Sequence, residues 1–296
     1  MKVLSFKIPV AEKATVIVQE DKMPHFYDHL HQHPEIQISL ILKGEGTLIA
    51  GNYMGLFAPG DIFWIGANQP HIFKSDPAYF TGDPALYIHA LTFFFHPSQT
   101  GGELLQLPEM QQLLEMVKHS ANGYRILPGN KAQLTQLFED LFRHEGAYRL
   151  VSFIQLLDNI YSRCQLTPLS AEKSDWNFSE EEGMRMNEIY QHSIRHFHRD
   201  ITLQEIAGIA HMTVPAFCRY FKKRTRKTYI HFVNELRISH ACKLLKGEKD
   251  QPYAMVAYEA GFNNVTSFNR TFKAIMGHAP GAYQKRYQQT EGRKTS

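Results

Sequence analysis

The chain has 296 residues, 43% hydrophobic and 21% charged, with a formal net charge of +3. That length is enough for two domains with separate cores, and the composition is that of a folded, soluble protein rather than a fibrous or low-complexity one. No apolar run approaches the ~18–20 residues of a membrane span.

The start, "MKVLSFKIPVAEKATVIVQ", lacks the apolar core and small-residue cleavage site of a secretory signal. A cytoplasmic protein with no membrane partner is expected. Cys164, Cys218 and Cys242 are far apart and form no CxxC pair, so free thiols are expected rather than a disulfide or zinc site. Charge is unevenly placed. Residues 181–296 hold 19 Lys+Arg against 10 Asp+Glu, a surplus of +9, and the remainder carries −6. A basic end on an acidic body suggests a polyanion partner for that end alone.

Residues 1 to about 100 read as strands. "EIQISLILKGEGTLIAG" alternates through Ile36, Ile38, Leu40 and Leu42 before turning at Gly44-Glu45-Gly46. "APGDIFWIGANQPHIF" and "ALYIHALTFFFH" are short apolar or aromatic runs between turn signals. Such punctuation suggests an antiparallel barrel or jelly roll. Helical spacing follows. Leu134, Leu137, Phe138, Leu141 and Phe142 form a stripe that Leu150, Ile154, Leu157 and Tyr161 continue. That stripe packs either on its own domain or on a second copy, so helices near 131–163 are candidates for a homodimer contact. The polar stretch at 166–183 reads as a linker. The expected domains are thus 1–165 and 184–296.

The second part repeats itself. "FCRYFKK" and "FNRTFKA" share Phe-x-Arg-x-Phe-Lys at a distance of 51 residues. On a helix, Phe217 and Phe221 face one way, with Pro215, Arg219 and Lys222 opposite. Phe268 and Phe272 likewise oppose Thr266, Arg270 and Lys273. Upstream of each copy lies a short helical stretch with a small residue, Ala207 or Ala257, four before a turn position, His211 or Gly261. The turn leads to an N-cap candidate, Thr213 or Asn264. This is helix–turn–helix spacing written twice. Between the copies, Ile230, Val233, Leu236, Ala241 and Leu245 suit one long helix. Some 20 helical residues span ~30 Å, close to the ~34 Å between major-groove faces on one side of a duplex.

These residues, "LQEIAGIAHMTVPAFCRYFKKRT", "NELRISHACKLL" and "VAYEAGFNNVTSFNRTFKAIMGHAPGAYQKR", resemble the paired helix–turn–helix domain of the AraC/XylS regulators. "HLHQHPEIQISLILKGEGT" and "PGDIFWIGANQPHIF" resemble the cupin-like sensor of the same family. The resemblance implies an α+β two-domain fold: a cupin-like β-barrel followed by helices, then an all-α double helix–turn–helix domain joined by a long helix. It implies a non-enzymatic, sequence-specific transcriptional regulator of double-stranded DNA, controlled by a small-molecule effector, with RNA polymerase as a further partner the family allows. Arg219 and Arg270 would each donate a bidentate pair to guanine. Cys218, Val265, Thr266 and Ser267 would face bases, and Lys222, Lys223, Arg224 and Lys273 phosphates. The chain departs from the family pattern at His211 and Arg226, where Gly is common, at Ala279, and at Pro215, a position otherwise used for base contact.

His31, His33, Glu35 and His71 invite a metal reading, because imidazoles and a carboxylate suit iron, zinc or manganese. The familiar cupin spacing puts the Glu farther on, and positions 36–44 hold no Glu or Asp. The favoured reading is therefore the polar wall of an effector pocket, with no metal and no cofactor assigned. Trp64 and His89 are expected to complete it, an aromatic plate beside polar groups suiting a carbohydrate. Histidines exposed at a barrel mouth remain open as an alternative. So does a cupin-type metal-dependent enzyme with a basic helical tail.

Overall fold

The computed structural model describes residues 14–98, 104–170, 178–247 and 251–292. The chain divides into two units between Asn187 and Glu188.

The first unit is built on strands β1 (Ile17–Met23), β2 (Ile36–Lys43), β3 (Gly46–Ala50), β4 (Tyr53–Phe57), β5 (Ile62–Ile65), β6 (His71–Ser75), β7 (Ile88–Phe95), β8 (Tyr124–Pro128) and β9 (Cys164–Pro168). All described pairings are antiparallel, in a six-stranded sheet ordered β1-β7-β2-β5-β8-β9 and a three-stranded sheet ordered β4-β3-β6. Helices α1 (Gln111–Lys118), α2 (Lys131–Arg143) and α3 (Gly146–Arg163) cover the outer face of the larger sheet.

Strand β2 shows how side-chain alternation sorts two cores. Ile36, Ile38 and Leu40 join Trp64, Phe93, Phe95 and Ile126 in one cluster with Leu134, Phe138, Phe153, Leu157 and Ile160 of the helices. Ile41 points the other way, into a cluster with Leu48, Phe57, Phe63, Ile65, Phe73 and Ala90 between the sheets. The helical stripe expected from the sequence is therefore spent on its own sheet: Leu134, Phe138, Leu141 and Leu157 are fully buried there, and Leu137, Phe142, Leu150 and Ile154 pack against them. Tyr161, the last member of that stripe, is the exception: it is exposed, as are Tyr148 and Val151 of α3 from outside the stripe.

The expected linker at 166–183 overlaps regular structure at both ends. Residues 164–168 pair with β8, and helix α4 (Glu180–His196) begins before its end. Residues 171–177, with Trp176, lie outside the described residues.

The second unit holds α5 (Leu203–Ile209), α6 (Val214–Thr225), α7 (Tyr229–Gly247), α8 (Tyr253–Glu259), α9 (Val265–Met276) and α10 (Pro280–Gly292). The two turns agree bond for bond. In the first, Met212 N donates to Ala207 O and His211 N to Gly208 O; in the second, Phe262 N donates to Ala257 O and Gly261 N to Tyr258 O, all at 2.9–3.0 Å. Both turns need a left-handed residue, His211 at φ 53° and Gly261 at φ 86°. Helices α6 and α9 both end on another, Arg226 at φ 59° and Gly277 at φ 78°. His211 and Arg226, where the family pattern favours Gly, thus keep the glycine-like conformation. Asn264 caps α9 by accepting from Ser267 N at 2.7 Å, while Thr213 makes no such bond and Pro215 sits in the first turn of α6, where its missing N–H costs nothing.

Phe217, Phe221, Phe268 and Phe272 are completely buried. The first pair packs on Tyr229 and Phe232 of α7, and Phe272 on Tyr283 of α10. Of the positions expected to line α7, Val233, Leu236, Ala241 and Leu245 are buried, but Ile230 is 61% exposed, and Tyr229 and Phe232 carry the contact instead. Arg237 of α7 donates to the carbonyls of Phe197 and Arg199 and lies over the Phe262 ring, tying α7 to the end of α4 and to the second copy.

A Cβ at Gly261 would meet Phe197 O at 2.6 Å and His198 Cα at 2.9 Å. Gly261→Ala is therefore expected to lower unfolding free energy by roughly 1–3 kcal/mol. His211→Gly relieves a strained L-residue and is expected to leave stability unchanged or raise it by up to ~1 kcal/mol. Denaturant unfolding of both variants in the full chain checks the pair, and equal losses would show that the two turns do not share one geometry.

Candidate nucleic-acid interface and ligand site

Helices α6 and α9 are both twelve residues long and align position by position. The second residue is Pro215 or Thr266, the sixth Arg219 or Arg270, and the ninth Lys222 or Lys273. Positions at i, i+4 and i+7 form one stripe along a helix. The buried phenylalanines occupy the fourth and eighth positions, so the stripe is held outward by the core behind it. Arg219, Arg270, Lys222, Lys223 and Lys273 are all exposed. Arg219 and Arg270 carry no ion pair among the described residues. Cys218 and Thr266 are exposed, and Val265 and Ser267 half-buried. Arg224 is half-buried and already engaged within the protein, so it is less available than its lysine neighbours. The alignment also exposes a residue that sequence reasoning missed. Asn269 is the counterpart of Cys218 and is exposed; the signal was the same 51-residue offset that picks out Arg270, and an Asn amide suits the edge of adenine.

In the first unit, three of the singled-out residues come together. The nitrogen ligand atoms of His31, His33 and His71 lie within 4.8 Å of one another. Backbone bonds between His31 and His71, N to O in both directions at 3.1 and 2.9 Å, hold two of the rings with centroids 4.3 Å apart, tilted at 54°. Each ring is anchored by its own Nδ1: His31 to His29 O at 2.9 Å, His33 to Glu35 O at 3.0 Å, His71 to Gln69 O at 2.8 Å. A carbonyl accepts only, so each Nδ1 carries the proton and each Nε2 the lone pair. Burial depresses all three imidazoles, His31 to about 4 and His71 well below its ordinary value. All three are neutral at pH 7. Gln37, on the inward face of β2, lies with its amide oxygen 3.1 Å from Nε2 of both His33 and His71. Its amide nitrogen donates to Ser39 Oγ at 3.0 Å, and Ser39 Oγ bonds Thr92 Oγ1 at 2.9 Å.

Three expected members are elsewhere. Trp64 pairs with Ile38 on the helix-facing side of the sheet and is fully buried against Phe95 and Tyr124. It cannot serve as a plate beside the histidines, and the physical basis for a carbohydrate preference goes with it. His89 shares the strand face of Leu91 and Phe93, which is also the helix side, and bonds Glu20 at 2.8 Å near the surface. Period-two alternation explains both misplacements: the right strands were found, with the wrong face turned inward. Glu35 was expected in the same polar wall as His31, His33 and His71, but β2 begins only at Ile36, and the bend at Pro34–Glu35 breaks the strand alternation that would put it on their side. Its carboxylate lies 3.7 Å from Nδ1 of His33, on the far side of that ring from the cluster. Gln37 takes the place expected of it.

Two family models match the chain: an AraC-like ligand binding domain over residues 14–151 and a helix-turn-helix domain over residues 206–286. The MmsAB operon regulatory protein of Pseudomonas aeruginosa is 31% identical over 183 residues, 60% of this chain and 56% of that protein. The uncharacterized HTH-type transcriptional regulator YdeC of Bacillus subtilis is 25% identical over 300 residues, covering 94% of this chain and 92% of its own length. Among solved structures, the DNA-binding domain of the global transcriptional factor AdpA, in complex with a target DNA, is 24% identical, with a TM-score of 0.33 over 35% of this chain and 92% of that one. No described helix is long and apolar enough to cross a membrane. With a ligand-binding domain ahead of two helix–turn–helix units, and relatives that are regulators of the same kind, the chain belongs to the AraC family of DNA-binding transcriptional regulators.

Proposed function

We propose that one chain reads two short DNA elements about one helical turn apart, through α6 and α9, and that a small-molecule effector bound in the first unit sets how well it does so. The observation that carries the DNA reading is the repeated stripe: an exposed arginine at the sixth position of both helices, each backed by two buried phenylalanines. An arginine fork in a major groove discriminates guanine by roughly 1–3 kcal/mol. The lysines three residues further along sit where they would meet phosphate, which positions the protein without specifying sequence.

Pro215 offers no hydrogen bond where Thr266 does, so α9 is the more selective reader. Asn269 adds an amide to α9 where α6 has Cys218. The effector reading rests on the ligand-domain match and on the buried polar chain His33–Gln37–Ser39–Thr92 inside the first unit. A homodimer is supported by Tyr148 and Val151, 75% and 50% exposed on α3; joining two modest readers raises affinity without new DNA contacts. RNA polymerase is a further partner in this reading.

Arg270→Ala is expected to reduce the ratio of specific to nonspecific DNA affinity by about tenfold or more. Lys273→Ala should weaken binding to all sequences alike and lower the salt slope by about one. Titration of specific and scrambled duplexes across a salt series separates the two, and a uniform loss from Arg270→Ala would reassign it to phosphate. Val151→Glu is expected to shift sedimentation toward monomer with the melting temperature unchanged; wild-type protein that stays monomeric at high concentration removes the dimer.

A further inference from the structure

The histidine cluster has an electrostatic problem that its hydrogen bonds do not solve. Every Nδ1 is committed to a carbonyl, so each Nε2 keeps a lone pair, and one ring nitrogen of each histidine lies within 4.8 Å of the other two. The Gln37 oxygen, a fourth acceptor, stands 3.1 Å from two of the Nε2 atoms. Four acceptors gathered in a buried place repel one another. Two things relieve this. The amide can turn over and offer its NH2 to His33 and His71, which does nothing for His31. Or a cation can accept all four donor atoms together.

The surroundings favour the cation. Nδ1–H anchored on a carbonyl is the support that metal-bound imidazoles characteristically have, because it fixes the tautomer and aims Nε2. Glu35, on the Nδ1 side of His33, adds a negative charge behind the ligand, as an outer-shell carboxylate does. The backbone pair between His31 and His71 and the bond from Leu30 N to Asn187 Oδ1 within the first unit hold the segment that carries His31. His31 is also the least buried of the three rings, which gives an ion a way in.

We propose that His31, His33 and His71, through Nε2, together with Gln37 Oε1, bind a divalent first-row transition metal ion of the zinc and cobalt kind. Three neutral imidazoles and an amide oxygen suit those ions; calcium and magnesium want an all-oxygen shell. The inference rests on reading the first unit as the ligand-binding module, and it names the ligand class. It requires no redox or hydrolytic step.

The test is equilibrium dialysis of Zn2+ and visible absorption with Co2+ on chelator-stripped full-length protein at neutral pH. One equivalent is expected, with the absorption of imidazole-bound cobalt and a raised melting temperature in the metal-loaded sample. His31→Ala and His71→Gln should each weaken binding by more than about 100-fold, exceeding the loss of an outer-shell partner. Gln37→Glu should keep the stoichiometry and tighten it. Melting curves and DNA binding of the same variants show that they are folded; if His71→Gln does not fold, His31→Ala decides alone. Less than one equivalent in the wild type, or unchanged affinity in His31→Ala, overturns the site. The second result would place the ion at other histidines, such as the neighbouring His192 and His196. Either failure leaves the DNA-binding assignment untouched, because that is measured independently with duplex alone.

Discussion

Two close helix crossings govern what the second unit can do. Ala207 and Ala257 are buried to within 1%, and a larger side chain at either would push the following helix away. A left-handed residue four positions on reverses the chain, and two phenylalanines lock the next helix by its inner face. Burial of each phenylalanine is worth several kcal/mol on the scale of large-to-small core changes. The outward stripe of Arg and Lys is therefore not a property of an isolated amphipathic helix. It is positioned by a core written twice, and α7, clamped by Arg237 to the loop at 197–199, joins the copies. Function in this unit consists of what the rigid crossings leave exposed.

The first unit works by the opposite logic, placing its polar groups inside. On β2, one face (Ile36, Ile38, Leu40) is spent on the helices and the other carries Gln37 and Ser39 between the sheets. Buried polar atoms are tolerated where they are mutually satisfied. Ser39 and Thr92 meet that condition. The histidines and Gln37 meet it among themselves only if a donor or a cation completes the set, so this is where a bound species would change local energetics most.

The repeat was legible in the sequence because it is local. Alanine, turn, phenylalanine and arginine lie within twenty residues of one another, and helical geometry alone predicts their faces. Even the one-residue difference between turns appears, since the turn positions His211 and Gly261 are 50 apart and the helix starts Val214 and Val265 are 51 apart. The first unit was legible in strands but not in sides. Alternation says that Trp64 and Ile65 face opposite ways; it does not say which face meets the helices of 111–163, far later in the chain. Glu35 was misplaced because a bend at Pro34 resets the phase just before the strand begins. Gln37 was passed over because an amide is not an expected partner for three imidazoles, and its position opposite His71 depends on a contact across 34 residues.

In the proposed function both copies of the repeat read DNA as one unit. Selection of bound sites from random duplex by the purified full-length chain, at near-physiological salt, tests it most directly. The expected outcome is two short enriched elements with a fixed centre-to-centre spacing of about 10 base pairs, the element read by α9 being the more sharply defined. A single enriched element, or two elements at no preferred spacing, would contradict it.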